Sequence, residues 1–459
     1  MRRKAIVYRS LHPLVVLSSQ IMTDVSARLP SLKDSKWLRL AALAVLYAGQ
    51  GLPIGIFQVA LPAYMASLNM SAAEVGGFIA FVFIPWSFKL LAGPLMDKFT
   101  FMPMGRRRPW VIAAQSGLLL TFVALAVLSP DPSAQYWLLA GLGFVSNVFG
   151  ALQDVAVDGM AIDILEEEER AQGNAFMYGG QISGISVSGS FASWALMGSG
   201  LMLAAILAAL AVAAILLVPL LLRERPGERL WPWDDDRGEV EVDAGIELSW
   251  LKLISRVLKA LMLPTSVLLV LTEAFSRITS GFLVAMSPLL TIQTLGWDQL
   301  TYANWVAITG IIAAVAGVIL GPGIDRIGAL RVLKGIVIFR VLTFVVMALT
   351  ADFWASAYWF ETFLMINAVA TQVVTVAIIA LFMRLCAPSV AASQFAIYMA
   401  LANMTYSMGS GLFAGLSGML SYPGMMALSG LMLALMLGLL RWIDFDRHAS
   451  DLKQFEQVA

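Results

Sequence analysis

The chain has 459 residues, of which 59% are hydrophobic and only 13% are charged, and its mean hydropathy is +0.81. Soluble globular domains normally contain about 25% charged residues, so the composition excludes that class and predicts an integral membrane protein. The 30 basic and 30 acidic residues cancel, which argues against nucleic acid as a partner. With one cysteine, and two histidines that lie near the termini, we expect no disulfide, no metal site and no cofactor.

Apolar runs between polar loops predict twelve transmembrane helices, numbered here as spans 1 to 12. Each run reaches the roughly 20 residues that a helix needs to cross a bilayer, and the alternating pattern of barrel strands is absent from the sequence. The predicted fold is an all-α polytopic membrane protein built from two six-helix bundles. Its segments are a cytoplasmic tail at 1–36, a first bundle at 37–222, a linker with an amphipathic helix at 223–262, a second bundle at 263–443 and a cytoplasmic tail at 444–459. Translation from Met1 and from Met22 are both compatible with this division.

Basic residues lie on one side of the predicted membrane. Of the 30 Lys and Arg residues, 27 lie in the two tails, the linker and the loops that follow even-numbered spans, or at the ends of spans next to them, and the loops on the other side contain none. The other three, Lys89, Arg277 and Arg340, lie deeper inside spans. Because cytoplasmic loops carry an excess of Lys and Arg, the pattern predicts that both termini are cytoplasmic.

A short motif recurs about half a chain apart: GPLMDK at 93–98 follows span 2, and GPGIDR at 321–326 follows span 8. The recurrence predicts two halves related by a pseudo-twofold axis, and it resembles the loop signature of the major facilitator superfamily. Its charges can hold helix ends together in one state of an alternating-access cycle. The predicted latch residues are Gly93, Asp97, Arg106, Arg107, Asp163, Arg170, Asp325 and Arg326. A basic topological anchor at 106–108 is an alternative for that run alone.

Ionisable side chains inside spans cost several kcal/mol unless they are paired or hydrated, so each is a functional candidate. Asp154, Asp158 and Asp163 lie on span 4; at 100° per residue the first two share a face, and Asp163 points elsewhere. A rise of about 1.5 Å per residue puts Lys89 and Asp158 at the same depth, about 12 Å, and Asp154 at about 18 Å. We therefore expect a Lys89–Asp158 ion pair and a freer Asp154 that carries a proton. The alternative is a static structural network.

The second bundle has its own buried charges. Glu273 and Arg277 are spaced as an ion pair on span 7, Arg340 on span 9 lies at a similar depth, and Glu361 lies near the outer end of span 10. Either the pair only neutralises two charges, or Arg277 binds an anionic group of a cargo while Glu273 or Glu361 is a second protonatable group. The predicted charge network is Asp154, Asp158, Lys89, Glu273, Arg277, Arg340 and Glu361. Candidate substrate contacts, each also explicable as hydrogen bonding between helices, are Gln50, Tyr178, Gln181, Arg277, Asn367, Gln372, Gln394 and Tyr398.

These segments resemble the muropeptide permease (AmpG-like) family, which groups with acetyl-CoA transporters inside the major facilitator superfamily. The resemblance rests on GPLMD and GRRR within residues 93–108, on QDxxxDxxxxDxL and EER within residues 153–170, on Glu361, and on SQFA at 393–396. Span 7 departs from the family pattern. The resemblance implies proton-driven import of N-acetylglucosaminyl-anhydro-N-acetylmuramyl peptides through the bacterial inner membrane. It also implies functional roles for Lys89, Asp154, Asp158, Asp163 and Glu361.

The sequence thus predicts a secondary active transporter, a proton symporter that imports muropeptides by alternating access. A major facilitator carrier for another large polar anion, such as a siderophore or an acyl-CoA, is the alternative, followed by a non-transporting accessory membrane protein. We expect no enzyme and no catalytic residues, because no histidine falls in a span and no metal-binding pattern occurs. The expected partners are the glycopeptide or other anion, protons and the lipid bilayer, and the carrier is expected to be a monomer.

Overall fold

The computed structural model describes residues 30–99, 101–233, 250–356, 358–387 and 390–458. Over these residues the protein is helical, and its β-type contact is one isolated bridge between Ser31 and Arg223. Nine helices in the described ranges are long and apolar enough to cross a membrane. The protein is therefore an all-helical, multi-pass membrane protein.

Twelve helices in the described part of the chain follow the predicted spans in order. They are α1 (Lys36–Ser67), α2 (Ala72–Ser87), α3 (Arg108–Leu128), α4 (Tyr136–Ile164), α5 (Arg170–Gly198), α6 (Gly200–Leu221), α7 (Pro264–Thr294), α8 (Gln299–Ile327), α9 (Ala329–Leu349), α10 (Trp359–Leu385), α11 (Ala391–Leu416) and α12 (Tyr422–Leu439). Shorter helices lie at Ala92–Lys98, Trp250–Leu261 and Phe445–Val458. We call the end of the molecule that carries the basic loops the basic end, and the other the opposite end.

The helices α2, α5 and α11 fall outside the nine apolar ones. α2 is short, and α5 and α11 contain many Gly and Ser residues. All three lie where the first six helices meet the last six, because α5 packs against α8 and α2 packs against α11. A helix that is surrounded by protein does not need the apolar surface that lipid requires. The interface between the two sets of helices is therefore their least apolar part.

The packing of the first six helices recurs in the last six. α1 packs on α5, and α3 packs on α4 and α6; in the same way α7 packs on α11, and α9 packs on α10 and α12. Each contact is repeated with a shift of six helices. The repeated motif in the sequence thus has a counterpart in repeated helix contacts.

Glycine permits the closest of these contacts. A Cβ atom on Gly184 of α5 would lie 2.1 Å from the backbone oxygen of Ala48 on α1. At the equivalent contact of α7 with α11, a Cβ atom on Gly281 would lie 1.9 Å from the backbone oxygen of Tyr406. Backbone atoms cannot rotate aside as a side chain can, so both contacts require a residue without a Cβ atom.

The expectation that span 2 is a single continuous helix is wrong. α2 ends in a 3-10 turn at Ile84–Ser87, and a second 3-10 turn at Lys89–Leu91 precedes the helix Ala92–Lys98. A proline in the first of these turns has no N–H group to continue α-helical bonding. A 3-10 turn rises about 2.0 Å per residue, against 1.5 Å in an α-helix. Each residue of these turns therefore advances further along the helix axis than a regular α-helix would allow.

The linker predicted at 223–262 packs onto both sets of helices at the basic end. Its first part lies against the first set: Leu32 N donates to Arg223 O at 2.8 Å, and Arg229 N donates to Pro103 O at 2.7 Å. The helix Trp250–Leu261 packs against the start of α11. Residues 234–249, which include part of the predicted amphipathic run, lie outside the described residues, as do residues 1–29.

The predicted C-terminal tail contains structure. Phe445–Val458 is a helix, and its residues Leu452 and Phe455 join an apolar cluster with Val257 of the linker helix. The ring of His448 is buried, with Nε2 3.1 Å from the backbone oxygen of Leu385 at the end of α10. Linker and tail thus cover the basic end of the second set of helices together.

Candidate functional site

A chain of hydrogen bonds centred on Asp154 links the helices of the first set. Lys89 Nζ forms an ion pair with Asp154 Oδ2 at 2.8 Å. Gln50 of α1 donates from its side-chain amide to Asp154 Oδ1, and Gln181 of α5 donates to Gln50 Oε1 at 2.6 Å. Asp154 is therefore a buried carboxylate with both a cation and an amide donor.

Asp158 lies on the same face of α4 but has different partners. Its Oδ1 atom accepts a hydrogen bond from the hydroxyl group of Tyr47 on α1. It forms no ion pair with any described residue. The expected Lys89–Asp158 ion pair is therefore wrong, and Asp158 rather than Asp154 is the carboxylate without a cation.

The reason for this exchange is local backbone geometry. The expected depth of Lys89 assumes a regular α-helix, but Lys89 begins a 3-10 turn. That turn moves Lys89 away from the basic end by about 1.5 Å and changes the direction of its side chain, because a 3-10 helix has 3.0 residues per turn. The flexible lysine stem spans the rest of the roughly 6 Å that separates the two carboxylates along α4.

The second set of helices holds the other charge cluster. Arg277 Nε lies 2.5 Å from Glu273 Oε1 on the same face of α7, as expected. Arg340 of α9 is 1% exposed and donates to Asn367 Oδ1 of α10 at 3.2 Å. Glu273 Oε2 and Arg340 Nε and Nη1 are buried without a hydrogen-bond partner among the described residues. Glu273 also borders a cavity of about 10 Å³, room for about one water molecule.

Polar side chains join the two sets of helices at mid-depth. The Tyr178 hydroxyl of α5 donates to Gln372 Oε1 of α10 at 2.6 Å. Gln58 of α1 donates to the Tyr406 hydroxyl of α11. Arg277 interacts electrostatically with Lys89 across this interface and with both tyrosines. The two charge clusters therefore face one another between the two sets of helices.

The opposite end of the molecule is closed. Gln293 Nε2 of α7 donates to the backbone oxygens of Ala66 and Met70, each at 3.0 Å, and Gln299 Nε2 of α8 donates to Ser67 Oγ at 2.8 Å. These hydrogen bonds join the second set of helices to the first at the opposite end.

An apolar cavity of about 300 Å³ lies beside Lys89, between the end of α2 and α4. Apart from Lys89, its lining includes Phe88, Leu91, Phe144 and Val148. Because it offers no hydrogen-bonding side chain other than the lysine, it is unsuited to a sugar.

The predicted latch residues meet only in part. Arg107 Nε lies 3.7 Å from Asp163 Oδ2, which joins the start of α3 to the end of α4. Arg106, Arg170 and Arg326 are exposed. The side chains of Asp97 and Asp325 lie outside the described part of the chain. A Cβ atom on Gly93 would be no closer than 3.9 Å to its neighbours, and one on Gly321 would meet nothing within 4 Å, so neither glycine marks a close helix contact.

Sequence reasoning missed a stronger ion pair at the same end. Arg39 of α1 donates from Nε and Nη2 to the two oxygens of Glu169, both at 2.8 Å, and both side chains are buried. This two-point contact fixes α1 to the start of α5. Part of the signal is in the sequence, because Arg39 lies near the start of an apolar run, but the sequence does not show which helix supplies its partner.

A second missed feature is a buried acidic pair in the linker. Glu224 accepts hydrogen bonds from the backbone N–H groups of Arg107 and Arg108, and Glu228 accepts from the N–H groups of Glu224 and Arg225. Burial and the neighbouring Glu228 raise the pKa of Glu224 to about 7. The pair ties the linker to the loop that precedes α3.

Several predicted substrate contacts have structural partners instead. Gln394 accepts a hydrogen bond from Ala387 N at 2.8 Å and donates to the Tyr398 hydroxyl at 2.7 Å. The Tyr398 ring stacks on Phe382 at 4.5 Å, and both residues are buried. The expectation that Gln394 and Tyr398 contact a cargo is not met, because they hold the corner between α10 and α11. Glu361 lies in the first turn of α10, away from both charge clusters.

The remaining predicted contacts lie at or near the interface. Gln181 donates to Gln50, which donates to Asp154, and Tyr178 donates to Gln372. Asn367 accepts a hydrogen bond from Arg340.

Within the described ranges, no group of three or more His, Cys, Asp or Glu side chains is arranged to hold a metal ion.

Comparison with known proteins identifies the family. The model of the Major Facilitator Superfamily matches residues 43–403. The chain belongs to the major facilitator superfamily. This facilitator is 28% identical over 376 residues to the Anhydromuropeptide permease of Escherichia coli (strain K12), an alignment that covers 79% of this chain and 71% of the permease. It is also 28% identical over 165 residues to the Putative transporter AmpG 4 of Rickettsia felis, which covers 35% of this chain and 39% of that protein. The protein is thus a transporter-family membrane protein with a permease among its relatives.

Proposed function

We propose that this protein is a secondary active transporter that imports peptidoglycan-derived muropeptides together with protons. The observation that carries the proposal is the pair of facing charge clusters, built around Asp154 and Arg277, at the interface between the two sets of helices. Charges at this depth are retained where they bind ions or cargo. The similarity to the Anhydromuropeptide permease supplies the class of cargo.

The transport cycle that we propose is alternating access by two six-helix bundles, α1 to α6 and α7 to α12. The repeated helix contacts support this division, since the contacts of α1 with α5 and of α3 with α4 and α6 recur as those of α7 with α11 and of α9 with α10 and α12. The hydrogen bonds that close the opposite end are contacts that this cycle must break. With both termini cytoplasmic in a bacterial inner membrane, as the basic loops favour, the closed end faces the periplasm.

We assign the proton to Asp158. It is a half-buried acid that forms no ion pair among the described residues, its Oδ1 atom accepts a hydrogen bond from the Tyr47 hydroxyl, and it lies one turn from the Lys89–Asp154 ion pair. Asp154 is occupied by Lys89 and Gln50, so its role is to hold the ammonium group in position. The latch that we propose at the basic end is Arg107 with Asp163, supported by Arg39 with Glu169.

The test is uptake by purified protein in liposomes. We expect labelled N-acetylglucosaminyl-anhydro-N-acetylmuramyl peptide to accumulate when a proton gradient is imposed inward, and not when the gradient is collapsed by a protonophore. Accumulation that is indifferent to the gradient would contradict proton coupling. No uptake by protein that melts cooperatively would contradict the cargo and would direct the search to siderophores and acyl-CoA, in the same assay.

A further inference from the structure

The two charge clusters carry opposite net charges when their side chains are ionised. In the first, one cation, Lys89, faces two acids, Asp154 and Asp158, so the ionised cluster has one negative charge in excess. In the second, one acid, Glu273, faces two cations, Arg277 and Arg340, so that cluster has one positive charge in excess. Together the six side chains are neutral.

The excess positive charge is available at Arg277 and not at Arg340. Arg340 is 1% exposed and is bound to Asn367. The Arg277 side chain is 25% exposed, the Lys89 side chain is 20% exposed, and the two interact electrostatically across the interface. One accessible cation is therefore supplied from each set of helices. An anion between them would be attracted to both.

We propose that one carboxylate of the cargo binds between Lys89 and Arg277, and that each such carboxylate crosses the membrane with one proton on Asp158. This inference rests on the proposed function and deepens it, because it names the group of the cargo that is recognised and the proton ratio. The groups that face Asp158 are Tyr47 from α1, Asp154 from its own helix and Lys89 from the segment after α2.

The physical reason for coupling is the cost of net charge inside the membrane. The empty carrier is neutral at the six side chains. A proton alone leaves one positive charge, and a carboxylate alone leaves one negative charge, whereas both together restore neutrality. Only the empty and the fully loaded carrier therefore pass easily through a closed state, and this restriction is what makes a carrier a symporter.

The decisive comparison uses two cargoes that differ in one charge: N-acetylglucosaminyl-anhydro-N-acetylmuramic acid, which has one carboxylate, and its neutral carboxamide. In liposomes with wild-type protein, we expect an inward proton gradient to accumulate the acid with one proton per molecule, and not to accumulate the carboxamide. Because proton and carboxylate cancel, a membrane potential imposed without a pH gradient is expected to drive no uptake of the acid.

Variants of Arg277 test whether this residue binds the carboxylate of the cargo. Arg277→Gln is expected to lower proton-driven uptake of the acid at least tenfold, while Arg277→Lys retains it. Arg331→Gln, which removes an exposed arginine at the start of α9, is the matched control and is expected to resemble wild type. Melting temperatures of all three variants verify that the proteins are folded.

Three results would overturn the proposal: accumulation of the carboxamide by the proton gradient, uptake of the acid driven by membrane potential alone, or unchanged acid uptake by Arg277→Gln. Each of these leaves muropeptide import itself intact. By contrast, folded wild-type protein that moves neither the acid nor the glycopeptide would refute the proposed function on which this inference depends.

Discussion

At the scale of single residues, the two carboxylates of α4 have different hydrogen-bond donors. Asp154 accepts from the ammonium group of Lys89 at 2.8 Å, and Asp158 accepts from the hydroxyl group of Tyr47. Two variants test the roles that we propose for them, a proton carrier at Asp158 and a counter-ion of Lys89 at Asp154.

The first variant is Asp158→Asn. We expect it to abolish proton-driven accumulation and to leave cargo exchange without a gradient intact, because the new side-chain carbonyl still accepts from Tyr47 but binds no proton. Radiolabel uptake in liposomes measures both modes. Asp352→Asn, an exposed acid in the loop before α10, is the control. If Asp158→Asn accumulates cargo as wild type does, Asp158 is not the residue that carries the proton.

The second variant is Asp154→Asn, which leaves the half-buried Lys89 without its counter-ion. We expect it to destabilise the protein by about 1–3 kcal/mol, less than the cost of breaking one side of a fully buried ion pair. The double variant Lys89→Met with Asp154→Asn is expected to regain most of that loss, since no charge is then left unpaired. Melting curves in detergent give the comparison. Losses that simply add in the double variant would show that the two residues are not coupled.

At the scale of helices, close approach and loop attachment decide how the elements are held. The contacts α1 with α5 and α7 with α11 are equivalent in the repeat, and both bring a glycine against a backbone oxygen. At each contact, the addition of one methyl group to the glycine would force the two helices apart.

Gly281→Ala tests this contact. A Cβ atom there would lie 1.9 Å from Tyr406 O, so we expect a loss of about 1–3 kcal/mol, as for other overpacked interiors. Gly335→Ala on α9 meets nothing within 4 Å and is expected to be neutral or slightly stabilising, because alanine favours a helix over glycine by about 1 kcal/mol. Thermal melting of the two variants is the measurement, and equal melting temperatures would contradict the close contact.

The buried Glu224 of the linker predicts that the stability of the protein depends on pH. The pKa of the Glu224 carboxyl rises from 4.5 to about 7 in the folded protein, chiefly through burial. The folded state therefore holds a proton that the unfolded state releases, and stability falls as pH rises through this window, by at most about 3 kcal/mol from this group. We expect the melting temperature at pH 8 to be lower than at pH 5.5.

Glu224→Gln removes that dependence, because the amide does not titrate. Its melting temperature is expected to change less between the two pH values than that of wild type, while Glu168→Gln, an exposed acid, leaves the wild-type difference. If Glu224→Gln retains the full wild-type pH dependence of the melting temperature, another group causes that dependence.

At the scale of the whole molecule, the hydrogen bonds at the opposite end hold the two sets of helices together. Gln293 supplies two of them, to Ala66 and Met70. In an alternating-access carrier these contacts must break in each cycle, so their strength sets the population of the open state.

We expect Gln293→Ala to weaken this closure by about 1–2 kcal/mol, which raises the open population roughly fivefold to thirtyfold. The readout is maleimide labelling of the cysteine introduced by Ala303→Cys, at a residue that is 1% exposed in the closed end, in a Cys386→Ser background. Thr301→Ala, at the same end but bonded only within its own turn, is the control. An unchanged labelling rate in Gln293→Ala would mean that these bonds do not control opening.

The sequence alone determined the properties that depend on each residue's own free energy of transfer into a membrane. The helical membrane class follows from hydropathy, most members of the two charge clusters follow from charged side chains in apolar runs, and the Glu273–Arg277 pair follows from spacing on one helix. The superfamily followed from short motifs, and the family model over residues 43–403 confirms it.

Only the tertiary structure decided which groups meet across helices. Lys89 pairs with Asp154 rather than Asp158 because a 3-10 turn changes the position and direction of its side chain, Arg39 pairs with Glu169 of another helix, and Gln394 donates to Tyr398 at the corner between α10 and α11. Such pairings depend on shifts of an ångström or two between neighbouring helices, and hydropathy, which is a sum over single residues, contains no information about them.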